Sequence, residues 1–154
     1  CRDIPGQELF QYYTAEGERR SIDSGKINKY IREVTSGDFT AKDFRTWAGT
    51  LETLKQLAGF PYPDNETLKK KMIVTVLDEV AAKLGNTRAI CKKSYVFPAL
   101  LDAYLNAELL PYLKKINKMA SLPGDKGLTA DEKVLLKFLK AERTKKLKAG
   151  LQNL

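Results

Sequence analysis

The sequence predicts a mainly α protein of one domain with a short β element at its N-terminus. Apolar residues recur at spacings of three and four along most of the chain, which is the periodicity of amphipathic helices. Strand-like composition is confined to the first 22 residues. The length of 154 residues suits a single hydrophobic core, and 43% hydrophobic with 30% charged residues is typical of globular proteins.

The first elements are a hairpin and a helix. Aromatic and aliphatic residues at 9–13, a turn at 14–17 and a second run at 19–22 favour two short strands. From Ser24 the period changes to that of an amphipathic helix, which should end near Gly37. Its apolar face consists of Ile27, Tyr30, Ile31 and Val34.

Two longer helices follow. A capping box at Thr40 and Asp43 starts the first, which should end at Gly59 before two prolines. Asn65 starts the second, which should end at Gly85. The core stripe of the first is Phe44, Trp47, Ala48, Leu51, Leu54 and Ala58, and that of the second is Leu68, Met72, Val76, Leu77, Val80, Ala81 and Leu84.

Shorter helices complete the chain. Thr87 can cap a short helix, and Pro98 and Pro111 can each sit in the first turn of another. Residues 121–127 are typical of a linker, and a second capping box at Thr129 opens a last helix that runs toward Gly150. We therefore expect residues 1–120 to form the main part of the domain, and residues 121–154 to add a linker and a basic helix with seven basic and three acidic residues from Thr129 onward.

Charge and cysteine content limit the possible functions. A formal charge of +8 and a pI near 9.4 favour a polyanionic partner such as nucleic acid or an anionic membrane surface, and charge alone does not choose between them. Two cysteines are too few for a disulfide framework, and the absence of histidine argues against zinc, so a reducing compartment is expected. No apolar run approaches the roughly 20 residues of a membrane helix. The start at Cys1 lacks the pattern of a signal peptide and suggests the C-terminal piece of a longer protein.

Two groups of residues could carry chemistry. Lys42 and Arg45 share one flank of a helix. Nearby Gly49 lies inside the same helix, where glycine lowers helix stability by about 1 kcal/mol relative to alanine. Close approach of a phosphate backbone to Arg45 is one reason for the absence of a side chain at this position. Tyr95 follows two lysines and a helix break at 85–86. The alternatives are a solvated basic face with an incidental glycine, a tyrosine buried in the core, solvated lysines and an asparagine that merely ends a helix.

The combination resembles the C-terminal part of the catalytic domain of type IB DNA topoisomerases, particularly the bacterial and poxviral form, which shares its active-site plan with tyrosine recombinases. The matching stretches are PGQELFQY at 5–12, FTAKDFRTWAGT at 39–50 and LGNTRAICKKSY at 84–95. The resemblance implies a helical domain of the DNA breaking-rejoining enzyme type. It covers most of residues 4 to 110.

The resemblance also implies roles for single residues. Tyr95 corresponds to the nucleophile that forms a 3′-phosphotyrosyl link to DNA, and Arg45 to an arginine that holds phosphate oxygens in the transition state. Lys42 occupies the position where recombinases have His or Lys. Asn86 replaces a histidine and would donate an amide N–H to the same oxygen. Lys92 and Lys93 are expected to contact DNA phosphates.

Further expectations concern partners and completeness. The substrate would be double-stranded DNA and the protein a cytoplasmic monomer, associated with the nucleoid if bacterial, with no metal, nucleotide or other cofactor. The family's first active-site arginine and its hairpin lysine have no counterpart here, so we expect them in an upstream part and expect this chain alone to be nearly inactive. The alternatives are a tyrosine recombinase or integrase catalytic domain, and a non-catalytic helical DNA-binding module.

Overall fold

The computed structural model describes residues 10–119 and 127–151, and within these ranges the chain is mainly helical. The prediction of a mainly α fold with a short N-terminal β element is confirmed. None of the described helices is both long and apolar enough to cross a bilayer. The elements are β1 (Gln11–Tyr13), β2 (Arg19–Ser21), α1 (Ser24–Thr35), α2 (Ala41–Gly59), α3 (Glu66–Leu84), α4 (Arg88–Ser94), α5 (Pro98–Leu105), α6 (Leu110–Met119) and α7 (Ala130–Leu151).

The chain divides into two compact units, and the first comprises Cys1–Phe44. In it β1 and β2 form an antiparallel hairpin with Tyr12 opposite Arg20, and α1 begins where the Asp23 side chain accepts a hydrogen bond from the Lys26 amide. The apolar face expected on α1 is present, but the helix buries none of its residues. Tyr30 and Val34 are about two-thirds exposed, at 65% and 64%. This unit therefore carries an uncovered apolar face.

The second unit, Arg45–Leu154, contains one hydrophobic core. Helices α2 to α7 all contribute to it, and the fully buried side chains include Leu54, Leu57, Val76, Leu77, Val80, Leu100, Tyr104, Leu109, Leu135 and Phe138. The last helix packs on this core, because the Phe138 ring meets the Tyr112 ring edge-on at 5.3 Å. The expected linker at 121–127 lies almost wholly outside the described residues, and the domain limit at 120 and 121 stays a prediction.

The predicted core stripe of α2 is partly wrong. Leu54 and Ala58 are buried, but Phe44 is 53% exposed and Ala48 is exposed as well. Thr50 and Thr53 are buried instead, at 2% and 0% exposure. Their hydroxyl groups donate to the main-chain oxygens four residues earlier, at 2.7 and 2.8 Å, and this makes their burial tolerable. On α3, Leu68 is likewise exposed rather than in the core.

The predicted helix ends are confirmed by their hydrogen bonds. The Asp43 carboxylate accepts from the Thr40 amide and hydroxyl at 2.8 and 2.7 Å, and the hydroxyl bond in particular lowers the pKa of Asp43. Asn65 caps α3 through the Leu68 amide at 2.8 Å. Gly85 ends α3 in the left-handed region, with a φ of 65°.

Candidate active site

Tyr95 is the first residue beyond α4, and the local fold fixes its position. The Thr87 side chain caps α4, whose Cys91 points into the core and is fully buried. Burial raises the pKa of the Cys91 thiol, which suits an anchor rather than a nucleophile. The amides of Tyr95 and Val96 both donate to the Cys91 carbonyl, at 2.9 and 3.1 Å. The buried Cys91 and its carbonyl therefore fix the position of Tyr95, which is half-buried.

One flank of α2 holds the segment around Tyr95. The Thr46 hydroxyl donates to the Ser94 carbonyl at 3.3 Å, and the Phe97 amide donates to the Thr50 hydroxyl at 3.1 Å. These two bonds join the helix to the backbone immediately before Tyr95 and two residues after it. The tyrosine is thus held on both sides by side chains of a single helix.

Gly49 lies between these two threonines on the same helix and is buried. A Cβ at this position would lie 2.5 Å from the main-chain oxygen of Tyr95, far inside van der Waals contact. We expected a DNA phosphate backbone to approach Gly49, and this expectation is wrong. The group next to Gly49 is the protein main chain at Tyr95. The missing side chain allows α2 to touch the tyrosine segment directly.

Arg45 lies against the tyrosine ring. Its guanidinium carbon Cζ is 4.5 Å from the ring centroid, which is the geometry of a cation–π contact. Its Nη2 atom donates to the main-chain oxygen of Leu84 at 2.7 Å. A guanidinium has five N–H donors, so this bond leaves donors for an anion beside the phenol.

Asn86 donates to the same oxygen. Its Nδ2 atom lies 2.9 Å from the Leu84 oxygen, so Arg45 and Asn86 share one acceptor. That oxygen belongs to the last residue of α3, where helix carbonyls lack partners within the helix and the helix dipole attracts cations. The main-chain N–H of Asn86 fixes the turn, because it donates a hydrogen bond to the Ala81 carbonyl at 2.9 Å.

The structure thus brings three of the six predicted site residues together, namely Tyr95, Arg45 and Asn86. Lys42 is exposed in the first turn of α2 and belongs to the first compact unit. Lys92 and Lys93 are exposed on α4 and line a groove of about 670 Å³ whose other walls come from α3 and α5. In the part of the chain that the structure describes, no hydrogen bond or ring contact joins these two lysines to Tyr95.

Sequence reasoning missed several residues that support the cluster. Thr46 and Thr50 were not singled out, although their spacing of four on the helix of Arg45 places them on one flank. Lys146 on α7 was also missed; its Nζ atom lies 5.7 Å from the ring centroid of Phe97. No local pattern predicts that contact, since 49 positions separate the two residues.

Comparisons with known proteins identify relatives of this chain. The sequence profile described as the catalytic core of eukaryotic DNA topoisomerase I matches residues 1–119. The chain is also 33% identical, over 110 residues, to a DNA topoisomerase 1B of Acanthamoeba polyphaga mimivirus. The match covers 67% of this chain and 33% of the viral protein, so the chain spans about a third of that relative's length.

Proposed function

The chain belongs to the DNA topoisomerase I catalytic-core family, and on this premise we propose that Tyr95, Arg45 and Asn86 form the nucleophile half of a type IB DNA cleavage site. The observation that carries the proposal is the cation–π contact of Arg45 with Tyr95, in which the guanidinium carbon lies 4.5 Å from the ring centroid. It puts a planar cationic donor beside a phenol, the pair that nucleophilic attack on a phosphodiester needs.

The proposed step is a phosphoryl transfer. The phenolic oxygen of Tyr95 attacks a phosphorus of one DNA strand and loses its proton, while the bond from phosphorus to the 5′ oxygen breaks and that oxygen gains a proton. The products are a 3′-phosphotyrosyl link and a free 5′-hydroxyl. The strand can then rotate, which relaxes supercoils, and the reverse reaction reseals it. Since the covalent link keeps the energy of the broken bond, the step needs no nucleotide.

Two donors would stabilise the charge that builds on phosphorus. Arg45 can present two N–H groups to two non-bridging oxygens in the plane of its guanidinium. Asn86 can offer one amide N–H to the same group. Both side chains donate a hydrogen bond to the Leu84 main-chain oxygen, and this fixes their orientation before DNA binds. Donors that are already oriented need less reorganisation when the transition state forms. We assign Lys42, Lys92 and Lys93 to supporting contacts with DNA phosphates.

We further propose that the rest of the active site is supplied by an upstream part of the protein. This chain spans a third of its viral relative, and the family's other arginine and its hairpin lysine have no counterpart in the sequence. The exposed apolar face of the first unit supports this view, because exposed apolar faces mark interaction surfaces. It includes a groove of about 510 Å³ lined by Tyr12, Ile22, Lys26, Ile27 and Tyr30.

A covalent-adduct experiment tests the nucleophile. The full-length protein is incubated with a nicked duplex, in which cleavage releases a short strand with a 5′-hydroxyl end. Because this strand dissociates, the DNA cannot be resealed, and the protein linked to DNA is quantified on a denaturing gel. We expect Tyr95→Phe to abolish the adduct and Tyr112→Phe to retain it, because Tyr112 is also half-buried but packs on Phe138. An adduct that persists in Tyr95→Phe would falsify the assignment.

A plasmid-relaxation experiment tests the second proposal. The 154-residue chain should relax supercoiled plasmid many powers of ten more slowly than the full-length protein, because loss of even one transition-state donor typically costs about 10²–10³ in rate. Relaxation by the chain alone at the full-length rate would contradict it. Cleavage that required a particular DNA site and exchanged strands between two duplexes would instead favour a recombinase.

A further inference from the structure

The last helix, α7, separates its side chains by charge. Its apolar residues Val134, Leu135 and Phe138 are buried in the core. Four lysines recur at spacings of four, three and eight, which places them along one side of the helix away from Leu135, and all four are exposed. We call this set the lysine face; it consists of Lys133, Lys137, Lys140 and Lys148.

The three carboxylates of α7 do not neutralise the lysine face. Asp131 pairs with Lys55 of α2 at 3.6 Å, and Glu142 pairs with Lys145 at 2.9 Å. Glu132 accepts a hydrogen bond from the Trp47 indole at 3.2 Å. Among residues 10–119 and 127–151, no member of the lysine face forms an ion pair.

The lysine face is a regular, linear array of like charges. From Lys133 to Lys148 it extends about 22 Å, at 1.5 Å per residue. Like charges three and four residues apart repel each other and destabilise a helix slightly. Because no described carboxylate pairs with these lysines, the negative charges of a bound ligand would reduce this repulsion. The array therefore points to a ligand that is itself a linear polyanion.

We propose that the lysine face of α7 binds the sugar-phosphate backbone of duplex DNA, in addition to any contact made by the Tyr95 cluster. The inference rests on the proposed function, since that function supplies the DNA. A duplex carries one negative charge per about 1.7 Å of its axis, so it can supply counter-charges along the whole array. An anionic membrane fits less well, because Leu147 is the one large apolar side chain of the described part of α7 that is more than half exposed.

The salt dependence of binding tests the proposal. In full-length protein that carries Tyr95→Phe, so that no covalent adduct forms, affinity for a fluorescent duplex is measured from about 50 to 200 mM salt. The triple variant Lys133→Gln, Lys137→Gln, Lys140→Gln should reduce the slope of log K against log salt by about 3, roughly 1 per lysine. Arginine at the same three positions should restore the slope.

A matched control removes the same charge elsewhere. Lys71, Lys114 and Lys115 are exposed on α3 and α6 and form no ion pair with a described residue, so glutamine there should leave the slope unchanged. Equal losses in both triple variants would show a net-charge effect and overturn the proposal, as would an unchanged slope in the α7 variant. The adduct experiment on protein with Tyr95 intact separates the two claims: a normal adduct with an unchanged slope removes the lysine-face proposal alone, whereas a missing adduct removes the proposed function.

Discussion

Gly49 of α2 and the main chain of Tyr95 are so close that a Cβ on the glycine would lie 2.5 Å from the tyrosine's carbonyl oxygen. The distance to the neighbouring carbonyl carbon would be 3.3 Å. Since both atoms belong to the backbone, they cannot move aside as the end of a flexible side chain can. Any side chain at position 49 must therefore shift α2 or the segment that carries Tyr95.

We predict that Gly49→Ala destabilises the fold and slows adduct formation. Relief of the clash should cost about 1–3 kcal/mol, which exceeds the gain of about 1 kcal/mol in helix propensity. Displacement of Tyr95 should lower the adduct rate by about 10²-fold, as misplacement near 1 Å does elsewhere. Thermal denaturation and the adduct assay measure the two effects.

Gly59→Ala provides the control for that substitution. Gly59 ends the same helix, and a Cβ there would meet nothing within 4 Å. Alanine should be neutral or stabilising by up to about 1 kcal/mol. If both alanine variants behaved alike, the close contact at Tyr95 would have no functional importance.

We predict that Thr50→Val destabilises the protein by about 1–3 kcal/mol. The substitution keeps the shape of the side chain but leaves the Phe97 amide without the hydroxyl that accepts its hydrogen bond at 3.1 Å. Chemical denaturation with an unchanged m-value would measure this loss. Thr75→Val on α3 removes a comparable hydroxyl from an exposed position and should change stability by less than about 0.5 kcal/mol.

We predict that Arg45→Lys lowers the adduct rate by about 10²–10³-fold while DNA affinity changes little, because lysine keeps the charge but loses the planar pair of donors. Rates from single-turnover adduct formation and affinities from fluorescence anisotropy would separate these effects. Arg88→Lys on α4, where the arginine forms an exposed pair with Asp78, should keep the normal rate. A parallel loss of DNA binding and fold in Arg45→Lys would instead indicate a structural arginine.

We predict a pH dependence at the contact between α7 and α2. Hydrogen bonds from the Thr129 amide, then from Trp47 and the Thr129 hydroxyl, lower the pKa of Glu132 from its ordinary 4.5. A lowered pKa in the folded state gives stability that is present above about pH 4.5 and is lost as the pH falls through the folded value. The difference in Tm between the unsubstituted protein and Glu132→Gln should therefore be largest near neutral pH and should shrink in acid. A difference in Tm that stays constant from neutral pH into acid would contradict this prediction.

Local patterns predicted the helices and their ends because those depend on neighbouring residues. The capping boxes at Thr40 and Thr129 and the stop at Gly85 each involve residues within five positions, and all three are present. The burial of Thr50 was not predictable in this way, because a threonine is buried at low cost only when its hydroxyl forms hydrogen bonds, and the sequence does not show those bonds. One of those partners, the Phe97 amide, lies 47 positions away.

Residues of the candidate site could be selected from the sequence, but the contacts among them could not be predicted. Family resemblance selected Arg45, Asn86 and Tyr95 from the sequence, and these three lie together. The acceptor that Arg45 and Asn86 share is a main-chain atom, however, and side-chain patterns carry no information about it. The contact of Trp47 with Glu132, which ties α7 to α2, spans 85 positions and also depends on the tertiary fold.

The oxygen that Arg45 and Asn86 share has a consequence for how the site tolerates mutation. Because it belongs to the main chain at position 84, no side-chain replacement there can remove it, and leucine, methionine or alanine would offer the same acceptor. The sensitive residue is its neighbour Gly85, whose φ of 65° turns the chain at this point. Substitutions at position 84 would thus act through the packing of the Leu84 side chain on the core and leave the acceptor in place, whereas substitutions at position 85 would disturb the backbone that presents this acceptor to the two donors.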